Sequence, residues 1–158
     1  MYVRFYIDYL IHLLSAKSRH GTHSPFVYRL VDEVFYARPQ ADEPPDKIKR
    51  LTVRLIDRFK PKRVYRVGDR LPDEPLDFVI AEGTDADRIS YQLHKLWTAL
   101  HPGSVAVLEG IYRNEGMRRL WLSLKAKPEV TVTVDLFHVG LVFFHHGQAK
   151  ENFKIRYA

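Results

Sequence analysis

Polar positions are sparse and regularly spaced at the start of the chain. From Tyr2 to about Lys17 the polar residues are Arg4, Asp8, His12 and Ser15, set four, four and three apart, amid apolar and aromatic neighbours. That spacing predicts a helix carrying one narrow polar stripe. A helix so apolar needs burial on most sides. It packs deeply against its own domain, against a second copy, or against a partner. A membrane-surface role is the weaker reading, because the polar stripe is not rich in Lys and Arg.

Arg19-His20-Gly21-Thr22-His23 breaks this pattern, and Gly21 permits a left-handed turn. Ser24 followed by Pro25 reads as an N-cap and a first-turn proline. Phe26, Val27, Leu30, Val31, Val34 and Phe35 continue at helical spacing to about Tyr36. Pro39, Pro44 and Pro45 mark Arg38 to Asp46 as a linker. A third helix is predicted from about Asp46 to Phe59, with Ile48, Leu51, Leu55, Ile56 and Phe59 inward and Lys47, Lys49, Arg50, Arg54 and Arg58 outward.

After Pro61 the period shortens. Arg63 to Val67, Leu76 to Ile80 and Ser104 to Leu108 read as strands, ending at Gly68-Asp69, Glu82-Gly83 and Glu109-Gly110. Helices follow the last two, at about Asp85 to Leu100 and Asn114 to Ala126, with His101-Pro102-Gly103 as a turn. Val130 to Phe137 alternates strictly, Gly140 to Phe144 is apolar, and the two can pair around His138-Val139-Gly140. Phe153, Ile155 and Tyr157 suggest a final strand. The predicted class is α/β: an open sheet, parallel first and mixed at one edge, with N-terminal helices. Residues 1–45 form a helical segment on an α/β unit of residues 46–158, together one compact unit.

Composition narrows the class. The 158 residues are 46% hydrophobic and 13% aromatic, enough for one packed domain. The lack of cysteine excludes disulfides, cysteine-ligated zinc and thiol nucleophiles. No apolar run spans a bilayer and no signal peptide is evident, so a cytoplasmic location is expected. The net charge is +6, yet Asp46 to Arg70 alone holds ten Lys and Arg against three Asp. The basicity belongs to that one segment.

The order of elements after residue 50 resembles a class I S-adenosylmethionine-dependent methyltransferase. Two blocks, RHGTHSPFVY from Arg19 to Tyr28 and VTVTVDLFHVGLVFFHHGQAKENFKIRY from Val130 to Tyr157, resemble the two ends of a bacterial group of these enzymes; Lys60-Pro61-Lys62-Arg63-Val64 adds to the likeness. The resemblance implies a Rossmann-like sheet ending in a reversed strand. It also implies S-adenosylmethionine as cofactor, held if at all by Gly68, Asp69, Glu82, Gly83 and Glu109.

The departures from the family point away from catalysis. Its first strand leads into a glycine-rich loop and a helix, whose amides approach the cofactor. Here the eight residues Gly68 to Pro75, two of them proline, separate two strands. A helical crossover needs a dozen residues or more. The segment carrying the family's next two strands, with the ribose-binding acid and part of the adenine pocket, has no counterpart. Glu82-Gly83 and Glu109-Gly110 match the family's later acidic pairs only loosely. The expectation is a pseudoenzyme that binds no cofactor and works as a scaffold, as a homodimer or with a protein partner. The contact surface would be the N-terminal helix or the sheet edge left at residues 63–67. A compact active methyltransferase acting on a small molecule is the alternative.

Other constellations are weaker. Asp69, Glu82 and Glu109, each past a strand's carboxyl end, can bind a cation or cap the following helices. His20 and His23 lack a third metal ligand, and His145-His146 is no better placed. No serine sits in a nucleophile elbow. The basic segment 47–63 has a bland reading as a solvated helix face and a sharper one as an RNA contact.

Overall fold

The computed structural model describes residues 2–18 and 22–157. Arg19, His20 and Gly21, with the predicted left-handed turn, lie outside the described residues. The helices are α1 (Tyr2–Ser15), α2 (Pro25–Leu30), α3 (Lys47–Phe59), α4 (Ala86–Leu96) and α5 (Glu115–Ala126). The strands are β1 (Val64–Arg66), β2 (Leu76–Ala81), β3 (Leu100–Glu109), β4 (Val132–Asp135), β5 (Val139–Phe143) and β6 (Glu151–Lys154).

Local chemistry accounts for the helix starts. Ser24 caps α2, with Pro25 in its first turn, and α2 continues as a π-turn over Val31–Phe35. The Asp46 carboxylate accepts from the Ile48 and Lys49 amides at the head of α3. Asp85 and Asn114 do the same for α4 and α5.

The strands form one sheet in the order β1-β2-β3-β5-β4-β6. β1, β2 and β3 run parallel, β5 is antiparallel to β3 and β4, and β6 is parallel to β4. Between β1 and β2 there is no helix, only an extended return from Val67 to Pro75, and the pair is nevertheless parallel. A three-residue strand makes this possible: the return covers roughly 10 Å, which nine residues span easily at ~3.3 Å each. β1 is therefore an edge of the sheet, the position expected for residues 63–67.

Two expectations are corrected. His101-Pro102-Gly103 is not a free turn but lies inside β3, which is ten residues long. Polar side chains hold this start of the strand in place. Ser104 Oγ donates to the Leu76 carbonyl at 2.6 Å, and His101 Nε2 lies 2.6 Å from Asp77 Oδ1. The β4–β5 turn is centred on Leu136-Phe137-His138 rather than residues 138–140, with Phe137 at φ 71°.

The sheet buries a separate apolar layer on each face. On one, Val27, Leu30, Leu51 and Leu55 from α2 and α3 cover Phe78, Val107, Val134 and Phe143. On the other, Ile89, Leu93, Met117, Trp121 and Leu124 from α4 and α5 cover Val79, Ala106, Leu108 and Val142. Among the described residues, α1 contributes to neither layer.

Candidate functional site

In an open α/β sheet the expected ligand site lies beyond the carboxyl ends of the parallel strands. Gly68 follows β1 in a backbone conformation, φ 107°, that favours glycine. The space a Cβ would occupy there lies 2.8 Å from the guanidinium of Arg88, an exposed side chain of α4 that lies beside the glycine. Asp69 is turned back on its own strand: its carboxylate accepts from the Arg66 amide at 3.2 Å, and its carbonyl accepts from Tyr65 Oη at 2.7 Å. Glu82 pairs with Arg66. Burial, with Glu82 alongside, pushes the Glu109 carboxyl above its ordinary range.

The turns after β2 and β3 lean together. Asn114 Nδ2 donates to the Thr84 carbonyl at 2.8 Å, and the Gly83 carbonyl lies 3.8 Å from where a Cβ on Gly110 would stand. The structure thus brings Glu82 and Glu109 together and leaves Asp69 in its own turn. The helix-capping reading of these three acids is corrected, since the caps are Asp85 and Asn114. No group of three or more His, Asp or Glu arranged for a metal occurs among the described residues. His145 packs edge-on against Phe26, its Nδ1 3.3 Å from Gln148, and His20 lies outside the described residues.

The basic helix presents far less free charge than its sequence suggests. Arg54 makes two 2.8 Å bonds to the Glu43 carboxylate and donates to the carbonyls of Val34, Ala37 and Arg38. The guanidinium holds the Glu43 carboxyl at about 2. Arg50 donates to the Pro44 and Pro45 carbonyls, Lys47 to the Tyr157 carbonyl, and Arg58 pairs with Glu33. These residues fasten the proline-rich linker and the C-terminal segment to α3. Arg54 faces into this network, not outward, because a planar five-donor group can satisfy several carbonyls at once. Arg54→Ala is expected to lower the unfolding free energy by about 2 kcal/mol, while exposed Lys49→Ala changes it by less than about 0.5 kcal/mol. Urea titration of both variants checks this, and equal losses would contradict it.

The largest departure from sequence reasoning is α1. The middle of its polar stripe faces inward, with Asp8 8% and His12 2% exposed, while Arg4 and Ser15 at its ends stay exposed. Asp8 accepts from Arg4 Nε at 3.0 Å and lies 3.5 Å from Arg118 Nη1 of α5. His12 Nε2 lies 3.1 Å from the Ile155 carbonyl; a carbonyl only accepts, so Nε2 carries the hydrogen. His12 Nδ1 sits 3.3 Å from Asp135 Oδ1 of β4. Asp135 also accepts from Tyr112 Oη and, at 2.8 Å, from the Phe137 amide.

Burial alone would raise the Asp135 carboxyl. The adjacent His12 ring and the hydrogen bonds from Tyr112 and the Phe137 amide outweigh it, and the group lies below its ordinary value. Phe137 stacks on Tyr112 at 4.8 Å and meets Phe5, Tyr9 and His12 edge-on at 5.0–5.6 Å between ring centres. α1 docks this way because β4 presents the buried Asp135 to it, and a buried carboxylate demands polar partners.

The cost of that docking is an inverted helix. Tyr2, Val3, Tyr6, Ile7, Leu10, Ile11 and Leu14 all face solvent, Tyr2 at 81% and Leu14 at 84% exposure. Sequence reasoning found the stripe but missed its direction, along with Asp135, Tyr112 and Arg118. One signal was available: Asp135 is the lone acid in the aliphatic run Val130 to Leu136.

No helix among the described residues is long and apolar enough to cross a membrane. Compared with known proteins, the chain matches no family model and no curated sequence.

Proposed function

We propose that this chain is a methyltransferase-like domain without catalytic activity, and that it works as a scaffold by docking through the exposed face of α1. The observation that carries the reading is the inversion of that helix. Monomeric proteins rarely leave a contiguous apolar patch of more than a few hundred Å² in water. Here seven large side chains of one helix form such a patch. The polar anchors beneath, Asp8 and His12, hold it outward.

The edge strand is the lesser candidate surface. β1 has only three residues, and Arg63 before it and Arg66 at its end are both ion-paired, so it offers little backbone to a partner strand.

The non-catalytic half of the reading rests on the carboxyl ends of β1–β3. The residues there do not fit S-adenosylmethionine. Arg88 lies beside Gly68, Arg66 engages Glu82, and among the described residues no strand beyond β1 supplies an acid for the ribose. Calorimetry with S-adenosylmethionine is expected to give no binding. A dissociation constant tighter than roughly 100 μM, about −5.5 kcal/mol, would overturn this half.

The docking half has its own test. The chain lacks cysteine, so a single Leu10→Cys reports on the face. In extract of the cells that make it, this thiol should react with a maleimide far more slowly than Leu122→Cys, placed at an exposed position of α5. Equal rates would show the α1 face bare and end the docking reading.

A further inference from the structure

The docking reading leaves the occupant of the α1 face open, and the spacing of that face supplies one. Val3, Ile7, Leu10 and Leu14 are exposed and stand four, three and four residues apart. That is the alternating step of a two-stranded coiled-coil seam, with Tyr6 and Ile11 flanking it. We propose that the occupant is α1 of a second copy of this chain, the two helices lying antiparallel about a two-fold axis. This rests on the docking reading and makes it specific.

The surface is built to pair with itself. A two-fold contact uses the same patch twice, so it must be self-complementary. None of the exposed apolar positions is interrupted by an acid or a base on the seam. Arg4, the single Lys or Arg between Tyr2 and Ser15, is bonded to Asp8. The helix thus sets one basic side chain, Arg4, beside the face, too few for the Lys- and Arg-rich fringe by which a helix holds an anionic membrane.

The antiparallel arrangement follows from size and charge. It sets Val3 opposite Leu14 and Ile7 opposite Leu10, so each layer joins a larger and a smaller aliphatic group or two of equal size. It also lays the positive N-terminal end of each helix beside the negative C-terminal end of the other. A parallel pair would bring like ends together.

The extent of the patch is sufficient. Seven such side chains leave on the order of 800 Å² in water, the area each partner of a standard stable interface buries. Two heptads alone make a marginal coiled coil. Here the domain already orders the helix through Asp8, His12 and Phe137, so pairing carries little further ordering cost.

Light scattering of the purified full chain at micromolar concentration is expected to give twice its 18.6 kDa. Leu10→Lys should give the single-chain mass with an unchanged circular dichroism spectrum, because Leu10 belongs to neither buried layer. A mixture of Val3→Cys and Leu14→Cys chains should form a mixed disulfide on oxidation, while Val3→Cys alone should not link to itself. A monomeric wild-type protein overturns the pairing, and self-linked Val3→Cys overturns its direction. A monomer that binds anionic phospholipid vesicles, and loses them on Leu10→Lys, assigns the face to a lipid surface instead. If Leu10→Cys is protected in extract while the pure protein is monomeric, docking stands and the second copy is ruled out.

Discussion

Replacing Asp135 with alanine is expected to lower the unfolding free energy by about 4 kcal/mol and to release α1 from the domain. The carboxylate is the meeting point of three elements. His12 of α1 faces it at 3.3 Å, Tyr112 donates to it from the segment before α5, and the Phe137 amide donates to it from its own turn. Without it, the Tyr112 hydroxyl and the Phe137 amide lose their acceptor in a buried site, and a buried donor left unpaired costs about 1–3 kcal/mol. Denaturant titration reads the total. Hydrogen exchange reads the location: the α1 amides should lose protection while those of β2 and β3 keep theirs. Asp135→Asn preserves the shape and should lose about half as much. A loss below about 1 kcal/mol for Asp135→Ala would mean that α1 is held by something else.

The same site contributes to both ends of the pH window of stability. Asp135 has its folded value below the ordinary carboxylate value of 3.8, so its contribution is complete above about pH 4 and declines as pH falls further. Tyr112 has its folded value raised above the ordinary 10.0, by burial first and by the Asp135 charge second. Its contribution is complete below pH 10 and is lost as pH rises beyond that, because only the unfolded chain then ionises freely. The Tyr112→Phe variant should weaken the alkaline dependence, leaving the share of Tyr65 and Tyr157, which burial also raises.

Gly140→Ala is the second large effect, expected to cost about 3 kcal/mol and to lower the melting temperature by roughly 6–12 °C. Gly140 lies in β5, between β3 and β4. A Cβ there would stand 2.5, 2.7 and 2.9 Å from three ring carbons of Trp121. These are carbons of a rigid indole, 1% exposed and enclosed by the α4–α5 layer, so neither partner can move away without opening the layer. Pairing the change with Trp121→Leu should recover part of the loss, since the smaller side chain vacates the ring's position. A melting temperature unchanged by Gly140→Ala would show that the indole is free to shift.

Much of the architecture was legible because its signals are local. The switch from helical to alternating spacing after Pro61, the Ser24-Pro25 start of α2 and the glycine after each parallel strand all state a backbone preference within a few residues. The short segment from Gly68 to Pro75 likewise announced that no helix follows β1, and that β1 would be an edge. The chain spacing of Arg4, Asp8, His12 and Ser15 fixed a polar stripe on α1.

What spacing could not fix is where each face points. Periodicity defines a stripe, and the surface opposite decides whether it is buried. Asp135, contributed by a strand more than a hundred residues away, draws His12, and with it Asp8, inward and leaves the aliphatic side of α1 out. Similarly, Arg54 reads as a solvated cation until the carbonyls of Val34, Ala37 and Arg38 fold around it, and Gly68 reads as open until Arg88 lies beside it. Backbone conformation follows largely from residues close in sequence, so the chain alone determined most of its elements, though the start of β3 at Leu100 was fixed by contacts with Leu76 and Asp77. Burial and charge pairing follow from residues far apart in it, so only the tertiary structure decided which face of α1 was left for a partner.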